Sequence, residues 1–96
     1  MEIEKNIQSG CAELKLSGWL DTQTAPELEK ELAELPADVS ALVFNCSELE
    51  YISSAGLRQL VAAYKKMNGA MTLRAVSDEI MSVIKMTGLD KRLKIE

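Results

Sequence analysis

Ninety-six residues, 47% of them hydrophobic and 27% charged, suffice for one compact core and not for two, so residues 1–96 are read as a single domain. A net charge of −4 without a basic cluster argues against nucleic acid, whose phosphates need concentrated Lys and Arg. No apolar run approaches the roughly 20 residues that cross a bilayer, and the acidic start MEIEKNIQ lacks the features of a secretion signal, so no membrane insertion and a cytoplasmic location are expected.

Along the chain, Ile3 and Ile7 share a parity, and Ala12, Leu14 and Leu16 alternate with Glu13, Lys15 and Ser17. Both stretches predict strands, and Ser9-Gly10 between them predicts a hairpin turn. In TAPELEKELAELP, Thr24 and Glu27 fit a capping box, Pro26 suits a first helical turn, Leu28, Leu32 and Leu35 form one stripe, and Pro36 stops the helix. The continuous apolar run ALVF, residues 41 to 44, predicts a central strand covered on both faces. From Ala55 to Asn68, Leu57, Leu60, Val61, Tyr64 and Met67 follow helical spacing, with Lys65 and Lys66 in the last turn and Asn68-Gly69 as the stop. AMTLRAV then predicts a strand, SDEIMSVIKMTG a helix capped by Ser77 and ended at Gly88, and LKI a short last strand.

The order β-β-α-β-α-β-α-β implies an α/β fold, a mixed and mostly parallel sheet of about five strands with helices packed on it. In such sheets the functional surface lies at loops following the strand carboxyl ends. That rule points to LDTQ after the second strand and to NCSELEYISSAG after the third.

Cys11 and Cys46 form no C-x-x-C pair, and the chain has no histidine to join them in a metal site. Both are expected to be small buried residues in a reducing compartment, with no metal and no cofactor. The missing histidine also removes the usual base for a serine nucleophile, no G-x-S-x-G elbow is present, and no phosphate-binding G-x-x-x-x-G-K occurs, so no enzyme activity is expected. The adjacent hydroxyls of Ser53 and Ser54 at a helix entrance admit two readings. One of them caps the helix, or one is a phosphorylation target, since unpaired N–H groups and the positive dipole end stabilise a phosphate there.

Three stretches in order, GWLDTQTA, LVFNCSELEYISSAGLRQLVAAYKKMNG and VIKMTGLDKRL, resemble the STAS domain family in its stand-alone anti-sigma-factor antagonist branch, over nearly the whole chain. The resemblance implies partner switching. The unphosphorylated antagonist binds an anti-sigma factor that is also a serine kinase of the GHKL type, phosphorylation releases it, and a PPM-type phosphatase restores it. Laid on ISSAGL, the family's acceptor serine is Ser54, followed by Ala55, Gly56 and Leu57. Two positions depart from the family pattern: Ser53 replaces the aspartate before the acceptor, and Asn45 the aspartate expected at the end of the third strand. Asp21 matches the family's acid in the neighbouring loop.

The surface expected to meet a partner therefore comprises Asp21, Thr22, Asn45, Ser53, Ser54, Ala55, Gly56 and Arg58. Gly56 is expected to leave room for a kinase to approach the backbone, and Leu57 to anchor the helix in the core. Arg58 either pairs with a partner acid or is a solvated helix charge, and Asp21 either contacts the partner or binds its own turn backbone. Trp19 is expected to be a partly buried strand-end residue, and Met81 and Met86 to belong to the core or its flank. Alone, the chain is expected to be a monomer. Two alternatives remain: a switching module with a target other than a sigma factor, in secretion, signalling or an ABC transporter, and a scaffold in which Ser54 is only a cap.

Overall fold

The computed structural model describes residues 1–96. Its elements follow the expected order: β1 Glu2–Gln8, β2 Cys11–Leu20, α1 Ala25–Ala33, β3 Ala41–Ile52, α2 Ser54–Lys66, β4 Met71–Arg74, α3 Asp78–Met86 and β5 Lys94–Ile95. A short 3-10 turn, Leu89–Lys91, was not expected from the sequence and carries Leu93 into the core.

The sheet runs β1-β2-β3-β4-β5, with β1 antiparallel to β2 and the other pairs parallel. Each crossover steps one strand in the same direction, and right-handed crossovers that never reverse put every helix on one face. The layout has two layers and no crevice from a reversal of strand order. Burial follows: Ala12, Leu14, Leu16 and Leu20 of β2 and Leu42 and Phe44 of β3 are fully buried, while Cys11, Glu13, Lys15, Ala41 and Val43 between them are not. The expectation that ALVF is covered on both faces is thus corrected. The strand is central in the sheet, but helices cover one side of it only.

The Ser9-Gly10 turn closes the first hairpin with both residues at positive φ, 51° and 78°, the mirror-image turn whose twist matches its strands. β3 is longer than ALVF suggests and absorbs most of the stretch expected to be a loop. Its register against β2 slips twice, between Lys15↔Asn45 and Ser17↔Glu48 and between Gly18↔Leu49 and Trp19↔Tyr51. At each slip β3 carries one residue more than β2, a bulge. Strict alternation past Cys46 would turn the wrong side chains inward; the extra residues instead bring Leu49 and Ile52 to the core at three-residue steps.

Two helix entrances form as expected. Ser53 Oγ accepts the Gly56 N–H at 3.3 Å for α2, and Ser77 Oγ accepts the Ile80 N–H at 3.2 Å for α3. The third does not: Thr24 makes no capping bond to α1. Its hydroxyl donates to the Trp19 carbonyl and accepts the Asp21 N–H, both at 2.8 Å, so the capping box gives way to a turn that begins at Asp21. α2 stops at Asn68 and Gly69, both at positive φ, with the Gly69 N–H returning to the Tyr64 carbonyl.

The core consists of 19 buried residues, Phe44 the bulkiest fully buried, and Leu57, Leu60 and Ala63 bring α2 into it. Cys46 is buried and its thiol is pushed up to about 12 by desolvation, which keeps it protonated and inert, whereas Cys11 is half-exposed. Met81 is half-buried, but Met86 is 86% exposed at the end of α3, which corrects its expected placement at the core.

Of the five glycines, the one packed most closely is Gly56, where α2 begins. A Cβ on Gly56 would stand 2.8 Å from Leu20 Cγ, 2.9 Å from Ile52 Cγ1 and 2.9 Å from the Leu20 carbonyl oxygen. Overpacking of this kind costs about 1–3 kcal/mol, more than the roughly 1 kcal/mol alanine gains over glycine in a helix. Gly56→Ala is therefore expected to lower the urea midpoint of unfolding, and an unchanged or higher midpoint would contradict this packing.

Candidate functional site

Leu20 and Ile52 form the last pair of the β2–β3 ladder, so the chain leaves the sheet at Asp21 and at Ser53 side by side. The Ser53 N–H donates to the Leu20 carbonyl at 2.9 Å and ties the two exits together. The strand-end rule thus selects one surface, where the Asp21 turn meets the entrance of α2.

The two serines divide the work. Ser53 has extended backbone, φ −98° and ψ 175°, and its side chain is the cap. Ser54 is the first residue of α2, is exposed, and its hydroxyl makes no hydrogen bond within the chain. The N–H groups of Ser54 and Ala55 belong to the first turn and have no intrahelical acceptor, so the positive end of α2 faces outward beside the Ser54 hydroxyl. Arg58 is exposed one turn further, at the i+4 spacing that puts it on the side of the helix that carries Ser54. Ser54, Arg58, Val61, Thr87 and Leu89 line a shallow groove of about 470 Å³ between α2 and the end of α3, floored in part by Leu57.

Asp21 is half-buried, and its hydrogen bonds all fall on Oδ1, which accepts the Gln23 N–H at 3.0 Å, the Thr24 N–H at 3.1 Å and the Thr24 hydroxyl at 3.2 Å. The Thr24 N–H is the main cause holding this carboxyl below the usual carboxylate range; desolvation opposes it, and the Thr24 hydroxyl and the Gln23 N–H add to it. The backbone-binding turn of Asp21 is thus formed. Thr22 is exposed in the same turn.

Two expected partner residues lie elsewhere. Gly56 is buried against Leu20 and Ile52, so its missing side chain makes room inside the fold and not for a kinase outside it. Asn45 is inside β3, beside Lys15, and accepts the Ser47 N–H at 3.0 Å in the first bulge. The Leu20–Ile52 exit is five residues of β2 further on, roughly 16 Å at about 3.3 Å per residue. Ala55 is half-buried in the first turn, and Leu57 is 5% exposed, the expected anchor.

A pair of exposed aromatic rings stands beside this surface. Trp19 is 57% exposed, and Tyr51, its partner across the ladder, is 44% exposed; their ring centroids are 5.2 Å apart at an interplanar angle of 41°. Trp19 is thus a surface residue and not a partly buried one. Its neighbour Leu20 turns inward, a sign that the strand continues through GWL, but the pairing with Tyr51 depends on the second bulge.

The class the fold defines is a two-layer α/β domain that presents a free serine hydroxyl at a helix entrance, at the rim of a shallow groove. The STAS domain family model matches residues 2–96, and the chain belongs to that family. It is 32% identical over 93 residues to the anti-sigma-B factor antagonist of Staphylococcus aureus, covering 93% of this chain and 86% of that protein. It is also 32% identical over 90 residues to the anti-sigma-F factor antagonist RsfB of Mycobacterium tuberculosis, covering 91% of this chain and 74% of that protein. Among solved structures, an anti-sigma factor antagonist from Mycobacterium paratuberculosis superposes with a TM-score of 0.87 at 31% identity, covering 98% of this chain and 83% of that one.

Because Ser53 is the cap, Ser53→Ala is expected to cost about 1 kcal/mol in chemical denaturation, and Ser54→Ala less than about 0.5 kcal/mol. The reverse order would mean that the caps are exchanged. For Asp21, the depressed carboxyl contributes stability that is present above the ordinary carboxylate value and lost as pH falls through its folded pKa. Asp21→Asn is therefore expected to melt at a lower temperature than wild type at neutral pH, the gap closing as the solution is acidified below pH ~4. A gap independent of pH would contradict the assignment.

Proposed function

We propose that the chain is an anti-sigma-factor antagonist that acts by partner switching at Ser54. Supporting this reading are its membership of the STAS family and its likeness to relatives named as antagonists of anti-sigma factors. The single observation that carries it to a residue is the exposed, unbonded Ser54 hydroxyl, left free because Ser53 does the capping.

In the unphosphorylated state, the Asp21 turn and the first two turns of α2 dock on an anti-sigma factor that is itself a serine kinase of the GHKL type. The Ser54 oxygen attacks the γ-phosphorus of ATP held by that kinase, its proton passes to a base of the kinase, and ADP leaves. The added charge of about −1.5 to −2 sits at the positive end of α2, within reach of Arg58 one turn away, where it costs the fold little. It costs the complex much more, because a surface that docked as a hydroxyl now presents a dianion next to Asp21. A PPM-type phosphatase restores the hydroxyl by hydrolysis of the phosphate ester.

The replacement of the family's aspartate by Ser53 has a local meaning in this scheme. The side chain before the acceptor is spent on the Gly56 N–H, so the charge beside Ser54 before phosphorylation comes from Asp21 and Arg58 alone among the proposed contact residues.

Incubation with ATP and the anti-sigma kinase is expected to place one phosphate on Ser54, read by intact mass and peptide mapping, and none on Ser54→Ala. Ser54→Asp is expected to weaken binding to the anti-sigma factor by about tenfold or more. Equal affinity of wild type and Ser54→Asp, with phosphate found elsewhere or nowhere, would sink the switch and leave a constitutive scaffold.

A further inference from the structure

Beyond the half-buried Cys11, Ala41 and Val43, the helix-free face of the sheet carries one exposed aromatic pair, Trp19 and Tyr51, and carboxylates flank it. The row of the sheet next to it, toward the amino ends of β2 and β3, holds Ser17 of β2 between Glu2 of β1 and Glu48 of β3. Ile3 and Leu16, paired on the preceding row, turn toward the core, which places Glu2, Ser17 and Glu48 on the open face. Both carboxylates are exposed, and Glu50, in the second bulge, is exposed as well. No cationic side chain stands in this row; the nearest cation is the Met1 α-ammonium, beside Gly18 and close enough to Asp21 to help lower its pKa. One step further along the face come Glu4, Lys15, Asn45 and Arg74, and there Arg74 is already paired with Glu96 at 3.3 Å.

Exposed neighbouring aromatic rings present much apolar area at little entropic cost, and Trp and Tyr are the side chains most enriched where one protein grips another. Carboxylates beside them select the sign of what they grip. A guanidinium matches both parts: it is planar, stacks on an indole or phenol face, and pairs a carboxylate through two parallel N–H groups. An ammonium matches them less well, being compact and strongly hydrated. We propose that Trp19, Tyr51, Glu2 and Glu48 form a docking site for an arginine-bearing segment of a protein partner. The site is separate from Ser54 and needs no phosphate, although Trp19 lies two residues before Asp21 and Tyr51 two residues before Ser53.

Trp19 is the chain's one tryptophan, so its emission reports the patch without a label. The full chain is titrated with a short peptide of alternating glycine and arginine, and with matched peptides carrying lysine, citrulline or glutamate in place of arginine. A saturable change in emission is expected with arginine, with an affinity about threefold or more above that for lysine, and no saturable change with citrulline or glutamate. Glu2→Gln and Glu48→Gln are each expected to weaken the arginine peptide by about two- to fivefold, with unchanged melting temperatures showing that the fold is intact. No saturable response to arginine, an equal response to citrulline, or an affinity indifferent to both substitutions would overturn the proposal. So would emission and sedimentation that change with protein concentration alone, which would give the patch to a second copy of the chain. Saturation by a free nucleotide in place of the peptide would likewise overturn it, making the pair a base-stacking platform.

Discussion

The structure depends on one close approach, that of the first turn of α2 to the last pair of the β2–β3 ladder. Leu20 and Ile52 fill the space a side chain on Gly56 would need, and the Ser53 N–H is bonded to the Leu20 carbonyl. These contacts set where α2 starts, and with it the position of the first exposed hydroxyl on that helix. The bulges of β3 serve the same end: each restores an inward side chain, and together they deliver Ile52 beside Leu20 so that both strands leave the sheet at one level.

From that junction the chemistry of the surface follows by division of labour. Of two adjacent serines, one is consumed by the backbone and the other is left for the solvent. A carboxylate at the end of the neighbouring strand is likewise consumed, in a turn of its own, and its ionisation is coupled to the stability of that turn. Rigidity and availability are thus assigned to different side chains. Asp21 and Ser53 fix the geometry, while Ser54, Thr22 and Arg58 face outward with little to hold them inside the fold.

The order of elements was legible because each has a strong local signature: alternation in β2, an apolar stripe with a basic end in α2, and a capping serine with following acids in α3. Placing Ser54 required the family resemblance, since spacing alone allows either serine to cap. What could not be read was non-local. Strand β3 continues past ALVF because its second half pairs with β2 through two bulges, and residues such as Ser47, Glu48 and Glu50 have the composition of a loop. The inward role of Gly56 and the outward position of Trp19 both depend on that pairing. Thr24 has a capping residue's chemistry, but the nearby Trp19 carbonyl and Asp21 N–H compete for its hydroxyl and win.

The hairpin strand β1 has a different standing from the rest of the sheet. Of its residues only Ile3 is even half-buried, and it holds on to β2 through its backbone ladder and to α1 through the Lys5–Glu31 ion pair at 3.0 Å. Its bare outer edge carries Glu2, Glu4, Lys5 and Asn6, charged and polar side chains that discourage pairing with foreign strands. Stability is therefore graded from the margin inward, since an edge strand with so little buried side-chain surface opens at lower cost than the core strands. Such breathing leaves β2 gripped by β3 and the core, so the two strand ends that carry the Asp21 turn and α2 keep their footing while the border loosens.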